Sequence, residues 1–253
     1  MRDNDQHSLI EKAASVLFAL GVWQAAAMIL DEALFLVSPV AVVRKLFELL
    51  PTADFASAVG FSFTRIMAGF FLALVFGSVL AVAAGQFRLL EVGLWPFIQV
   101  IKSVPVASFI ILCLIWLSSK SLSIFIGFLM VLPIVYTNML HGIKSTDTKL
   151  LEMATLFRVG WGKKLKYIYL PHLKPYILSA CSVSIGLAWK AGIAAEVIGI
   201  PDGSIGERLY EAKVYLSTAD LFAWTAVIVV ISVIFEKVFL RGLKWLFEGV
   251  EKP

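Results

Sequence analysis

Six stretches of the chain are apolar for close to the roughly 20 residues a helix needs to cross a bilayer core. They cover residues 13–30, 56–84, 92–117, 122–140, 176–200 and 221–240, with charged or turn-forming residues between them. The pattern predicts six spanning helices. Between the first and second, Val40, Val43, Leu46, Phe47 and Leu50 recur at helical spacing. That predicts a short amphipathic helix over 38–51 lying on the membrane surface. Pro39 suits its first turn and Pro51 ends it. The interval 141–174 is the one long connection, and its mixture of basic and apolar residues predicts structure rather than slack.

Composition supports a membrane solution. Of 253 residues, 60% are hydrophobic and 16% charged, against roughly 45–50% and about 25% in an average soluble domain. A soluble fold of this length has too little interior for so many apolar side chains. The fold class is therefore all-α integral membrane, one bundle of about six helices. The first stretch has the charged start and small residues of a signal peptide but a longer apolar run; it is read as an uncleaved span. Cys113 and Cys181 fall inside apolar runs and read as small buried hydrophobes. His7, His141 and His172 have no metal-ligand spacing.

The net charge of +4 does not imply nucleic acid, because the basic residues cluster between apolar runs. With the N-terminus placed in the cytoplasm, 14 of the 22 Lys and Arg residues fall on the inside, counting Lys237 at the inner end of the last span, 5 outside and 3 elsewhere within spans. This bias predicts cytoplasmic N- and C-termini.

The inside loop 141–174 carries the most informative pattern. Residues 151–159 suit a short helix, with Thr146 or Asp147 as its cap. Gly160 and Gly162 permit a sharp turn. Residues 161–169 suit a second helix, basic on one side and aromatic on the other, stopped by Leu170-Pro171. Such a pair has the form of a docking plug for another protein; a loop lying on lipid headgroups is the plainer alternative.

Here the sequence resembles the EAA loop of membrane subunits of binding-protein-dependent ABC importers. Glu152, Ala154, Ile168, Leu170 and Pro171 match in register. Met153 stands where that pattern has its first Ala, and Arg158 where it has Gly, with Gly160 two residues on. The runs 63–70, Ser103-Val104-Pro105, 186–190, 195–199 and 203–206 are similar to the nitrate/sulfonate/taurine group, over roughly residues 56–245. The resemblance implies a type I permease fold. Its division would be an N-terminal helix and surface helix over 1–55, a transmembrane domain over 56–245 and a cytoplasmic tail over 246–253. It implies no catalytic residues, and ATP and Mg bound only by a separate ATPase. Glu152, Ala154, Arg158, Gly160, Leu170 and Pro171 would couple to that ATPase. The implied partners are a second permease subunit, two ATPase subunits, an extracytoplasmic solute-binding protein and membrane lipid.

Charges inside spans cost roughly 2.5–3.5 kcal/mol each on insertion scales, so each needs a reason. Arg65 near a span end can snorkel. Lys102 lies deeper, beside Ser103 and Pro105, and Pro105 should loosen the helix and free carbonyls. Lys102, Ser103, Pro105, Trp189, Lys190 and Glu196 are the candidate pathway or gating residues. Lys190 and Glu196 are six residues apart, so they should not pair with each other. Lys190 could attract anionic cargo or form an ion pair with a neighbouring helix. The small residues from Gly186 to Ala195 read either as ordinary helix packing or as a dimer surface. Trp95, Trp116, Trp224 and Trp245 read as interface anchors. A helix over 208–216 on the outside would offer a docking surface for the binding protein, or be a solvated loop.

An intramembrane enzyme and a stand-alone channel or secondary transporter are the rival classes. The chain has no H-E-x-x-H, no G-x-S-x-G and no Walker A, since Lys164 follows Gly162-Lys163. Its halves show no matched inverted repeat of the secondary-transporter kind. The subgroup resemblance favours a small organic anion as cargo, with neutral or heterocyclic compounds, as related importers carry, the alternative.

Overall fold

The computed structural model describes residues 2–30 and 36–251, and every regular element among them is helical. In order these are α1 (Arg2–Leu30), α2 (Pro39–Leu49), α3 (Ala53–Gln86), α4 (Arg88–Ser103), α5 (Val106–Cys113), α6 (Ser119–Lys144) and α7 (Thr148–Leu156). Then come α8 (Trp161–Lys164), a π-helical turn (Leu165–Tyr169), α9 (Leu170–Gly199), α10 (Ile205–Val214) and α11 (Thr218–Glu251).

The core is three helices, α3, α6 and α9, packed side by side. Small residues let their backbones approach. A Cβ on Gly69 of α3 would lie 2.4 Å from the Ile124 carbonyl oxygen of α6. A Cβ on Gly192 of α9 would lie 2.6 Å from Ile66 Cγ1 of α3. Ala188, Ala191, Gly192 and Ala195 are buried within the protomer, so this part of the small-residue run serves ordinary helix packing. α11 covers one side through a ring ladder: Phe235 meets Phe63 at 5.5 Å and Phe239 meets Phe70 at 5.4 Å. Trp224 is buried and stacks on Phe55 at 5.4 Å. It is a core residue rather than the interface anchor expected of it, whereas Trp95, Trp116 and Trp245 are exposed.

Among the described residues, four helices are long and apolar enough to cross a membrane: α3, α6, α11 and the continuous run Trp161–Gly199. The third predicted span is not one rod. α4 and α5 meet at 102°, because Pro105 disfavours helical geometry at Val104 and both residues turn extended. Ser103-Val104-Pro105 therefore breaks the helix rather than loosening it. The first predicted span is apolar over Ala14–Leu30, the short end of what spans a bilayer.

α2 begins as expected, with the Ser38 hydroxyl accepting from the Ala41 N–H and Pro39 in its first turn. Its apolar residues divide between two faces. Val42 is buried and Leu46 packs with it in a cluster that includes Ala223 of α11, while Val40, Val43, Phe47 and Leu50 face outward. The Trp23 indole N–H donates to the Val37 carbonyl at 3.0 Å, tying α1 to the α2 entry.

Candidate functional site

The loop between α6 and α9 is an elbow of two helical limbs. Asp147 caps α7, its carboxylate accepting from the Lys149 N–H at 2.9 Å. The end of α7 is a Schellman closure: the Val159 N–H donates to the Ala154 carbonyl and the Arg158 N–H to that of Thr155. Such a closure needs a left-handed residue, and Arg158 supplies it with φ of 53°. The sequence pointed to Gly160 and Gly162 for this turn. Gly160 instead has φ of −61° and caps α8, and Gly162 lies inside α8. The reversal is finished before either glycine is reached.

The second limb also departs from expectation. Leu170-Pro171 does not stop it; the helix runs on without interruption to Gly199. Pro171 lacks the N–H that an α-helix would direct to Tyr167. The preceding turn widens to π geometry, with the Leu170 N–H donating to the Leu165 carbonyl. The proline is absorbed by one wide turn, so the elbow's second limb is continuous with a spanning helix. Pro175 likewise lies inside α9.

Polar contacts brace the elbow. Lys164 Nζ donates to Thr155 Oγ1 at 2.9 Å, bridging the limbs. At the base, the Ser145 hydroxyl donates to the Tyr176 hydroxyl at 2.9 Å and lies 3.1 Å from His172 Nε2, joining the end of α6 to α9. Ala154 is buried on the inner face of α7, and Glu152 is exposed on the outer. The outer surface is apolar as well: Leu156 is 81% exposed, Phe157 73% and Trp161 60%.

The candidate pathway residues separate into two groups. Lys102, Ser103, Pro105 and Lys190 are exposed on the protomer. Lys102 lies in the last turn of α4, where a cation suits the helix dipole, and Ser103 Oγ donates to the Gln99 carbonyl. Trp189 and Glu196 are buried; Trp189 lies 6.2 Å from the Phe63 ring. Glu196 Oε2 accepts from Ser62 Oγ at 2.6 Å and from the Gly206 N–H at 3.3 Å. Arg65 Nε donates to the Lys120 carbonyl at 2.6 Å and its guanidinium lies over the Phe61 ring, so it is held at the α5–α6 turn.

Sequence reasoning missed Ser62 and Glu236. Glu236 of α11 accepts from Ser182 Oγ of α9 at 2.7 Å. Both are polar residues inside apolar stretches, the signal that singled out Lys102 and Lys190.

The family described as binding-protein-dependent transport system inner membrane component matches residues 66–250. The chain belongs to this family. It is a multi-pass membrane permease, the translocation subunit of an ATP-binding-cassette importer rather than an enzyme. Membership implies an ATPase that supplies the ATP-driven step and a binding protein that delivers the solute. The permease is 28% identical to SsuC of Bacillus subtilis, named for aliphatic sulfonates transport, over 84% of its own length and 77% of the relative's. It is 28% identical to the taurine transport permease TauC of Escherichia coli, covering 85% and 80%. With the nitrate import permease NrtB of Synechococcus elongatus the identity is 28% over 60% and 54%.

Proposed function

We propose that the permease works as a pair, each copy seating its 148–169 elbow on one of two ATPase subunits, with ATP and Mg bound only by those subunits. The supporting observation is the exposed Leu156, Phe157 and Trp161 at the tip of a brace that runs unbroken into a spanning helix. Burying such a side chain is worth roughly 1.5–3 kcal/mol, enough for two or three to hold a partner. Closure of the ATPase pair would draw the elbows together and tilt α9 with them, since the second limb and the span form one continuous helix.

In this reading both termini are cytoplasmic, and a binding protein delivers solute from the far side. The unit is the transmembrane domain 56–245, with the surface helix and first span ahead of it and a tail from 246. The cargo class is a small organic or oxyanion, as the names of the sulfonate, taurine and nitrate relatives suggest. Exposed Lys102 and Ser103 at the α4–α5 break, and exposed Lys190 on α9, supply cationic and hydroxyl groups suited to such a solute.

The test is the double substitution Leu156→Ala with Phe157→Ala in the assembled complex. Membrane insertion should persist, while uptake falls and the ATPase loses its response to loaded binding protein. Normal uptake in that variant contradicts the docking role.

A further inference from the structure

Glu196 is the most deeply placed charged group in the described protein. It is 0% exposed, yet it lies four residues from the end of α9, close to the turn that leads into α10. Its surroundings come from four helices. Ser62 of α3 donates to Oε2, and the same hydroxyl accepts from the Ile205 N–H of α10 at 2.9 Å. The Gly206 N–H of α10 also donates to Oε2. Ser123 of α6 is buried near the carboxylate, but its hydroxyl makes no hydrogen bond among the described residues. The first-turn N–H groups of α10 thus end on a carboxylate and a serine that belong to the transport core. An acidic group there also complements the helix dipole.

The approach is too close to be incidental. A Cβ on Gly206 would lie 2.2 Å from Glu196 Cβ and 2.6 Å from the Val197 nitrogen. The left-handed residues Ile200 and Gly203 fold the chain back between the two helices. Ser204 and Glu207 complete the turn: the Glu207 N–H donates to Ser204 Oγ, and Glu207 Oε2 accepts from the Gly203 N–H. A buried carboxylate in an apolar bundle is costly unless its bonds hold something in place. Here it joins α10 to α3 and α9.

We propose that Glu196 is a latch: a positioning residue that locks α10 to α3 and to the end of α9, so that these three move as one body during transport. The functional half of this inference rests on the importer reading above; the structural half does not. With the latch open, α10 peels from the core and the motion delivered at the elbow no longer closes this end of the pathway.

The test uses the full complex of permease, ATPase and binding protein in lipid vesicles or nanodiscs. Two quantities are read: solute taken up per ATP hydrolysed, and hydrogen exchange at the Ile205 and Gly206 amides. Glu196→Leu should speed exchange at both amides by about 10- to 100-fold, the loss expected when bonds to a charged acceptor are removed. Uptake per ATP should fall, with ATP hydrolysis retained. Glu196→Gln keeps an acceptor for Ser62 and Gly206 and should restore most of both. Ser62→Ala should reproduce the Glu196→Leu defect in milder form, and it decides the matter where Glu196→Leu fails to assemble. Slow amide exchange in Glu196→Leu, or Glu196→Gln as damaging as Glu196→Leu, overturns the latch. A wild-type complex without ATP-driven uptake defeats the importer reading, while the amide exchange still judges the latch.

Discussion

Arg158 shows how one residue departs from a pattern and still meets its physical requirement. The closure of α7 demands a left-handed residue, and an L side chain there costs roughly 1–2 kcal/mol relative to a right-handed geometry. The resembling family places Gly at this position, and Arg158 adopts the same conformation with φ of 53°. Arg158→Gly should therefore stabilise the elbow by up to about 1 kcal/mol, part of the gain being offset by the greater freedom of Gly in the unfolded chain. Arg158→Val should weaken it by about 1 kcal/mol or more, because a β-branched side chain tolerates φ above zero least. Hydrogen exchange at the Val159 amide, which donates into the closure, reads both: slower in the first variant, faster in the second. The sequence flagged Arg158 as a departure. It could not say that the turn falls on it, because glycine counting favoured Gly160 and Gly162, and only the hydrogen bonds of the closed turn decide between them.

At the scale of elements, most spanning helices were legible because length and hydropathy report directly on bilayer crossing. α3, α6 and α11 contain their predicted stretches and extend past both ends. Two features were not legible, both at prolines. Pro105 breaks its element outright, whereas Pro171 and Pro175 sit inside a helix that continues. Local propensity treats these prolines alike; what differs is whether a neighbouring turn can re-satisfy the freed carbonyls, as the π turn does before Pro171. The buried set was partly hidden for a related reason. Glu196 and Trp189 share α9 with exposed Lys190, and helix rotation, set by packing against α3 and α6, assigns their faces. The same packing gives opposite signs for two glycine substitutions. Gly69→Ala must push α3 away from the Ile124 carbonyl and should cost about 1–3 kcal/mol, the range for overpacking. Gly186 has open space at its Cβ position, so Gly186→Ala should be neutral or stabilising by about 0.5–1 kcal/mol. Thermal unfolding of the purified permease distinguishes them: a lower midpoint for the first, an equal or higher one for the second.

At the scale of the molecule, the account turns on a length. The run Trp161–Gly199 has 39 residues, about 58 Å of helix at 1.5 Å per residue, against a hydrocarbon core of about 30 Å. Much of it must project beyond the lipid, and the elbow sits at one end with the Glu196 latch near the other. The basic residues Lys163, Lys164 and Lys166 crowd the elbow end, in keeping with the side of the membrane where positive charge is retained. In the proposed mechanism a push on exposed Leu156 and Phe157 passes through the closed turn and the Lys164–Thr155 bond into this helix. The most direct measurement is site-specific cross-linking in the assembled complex, with single cysteines placed by Phe157→Cys on the elbow and Tyr215→Cys beyond α10. The account predicts a cross-link from position 157 to the ATPase subunit and none from position 215. A cross-link to the ATPase from 215, with 157 silent, contradicts it.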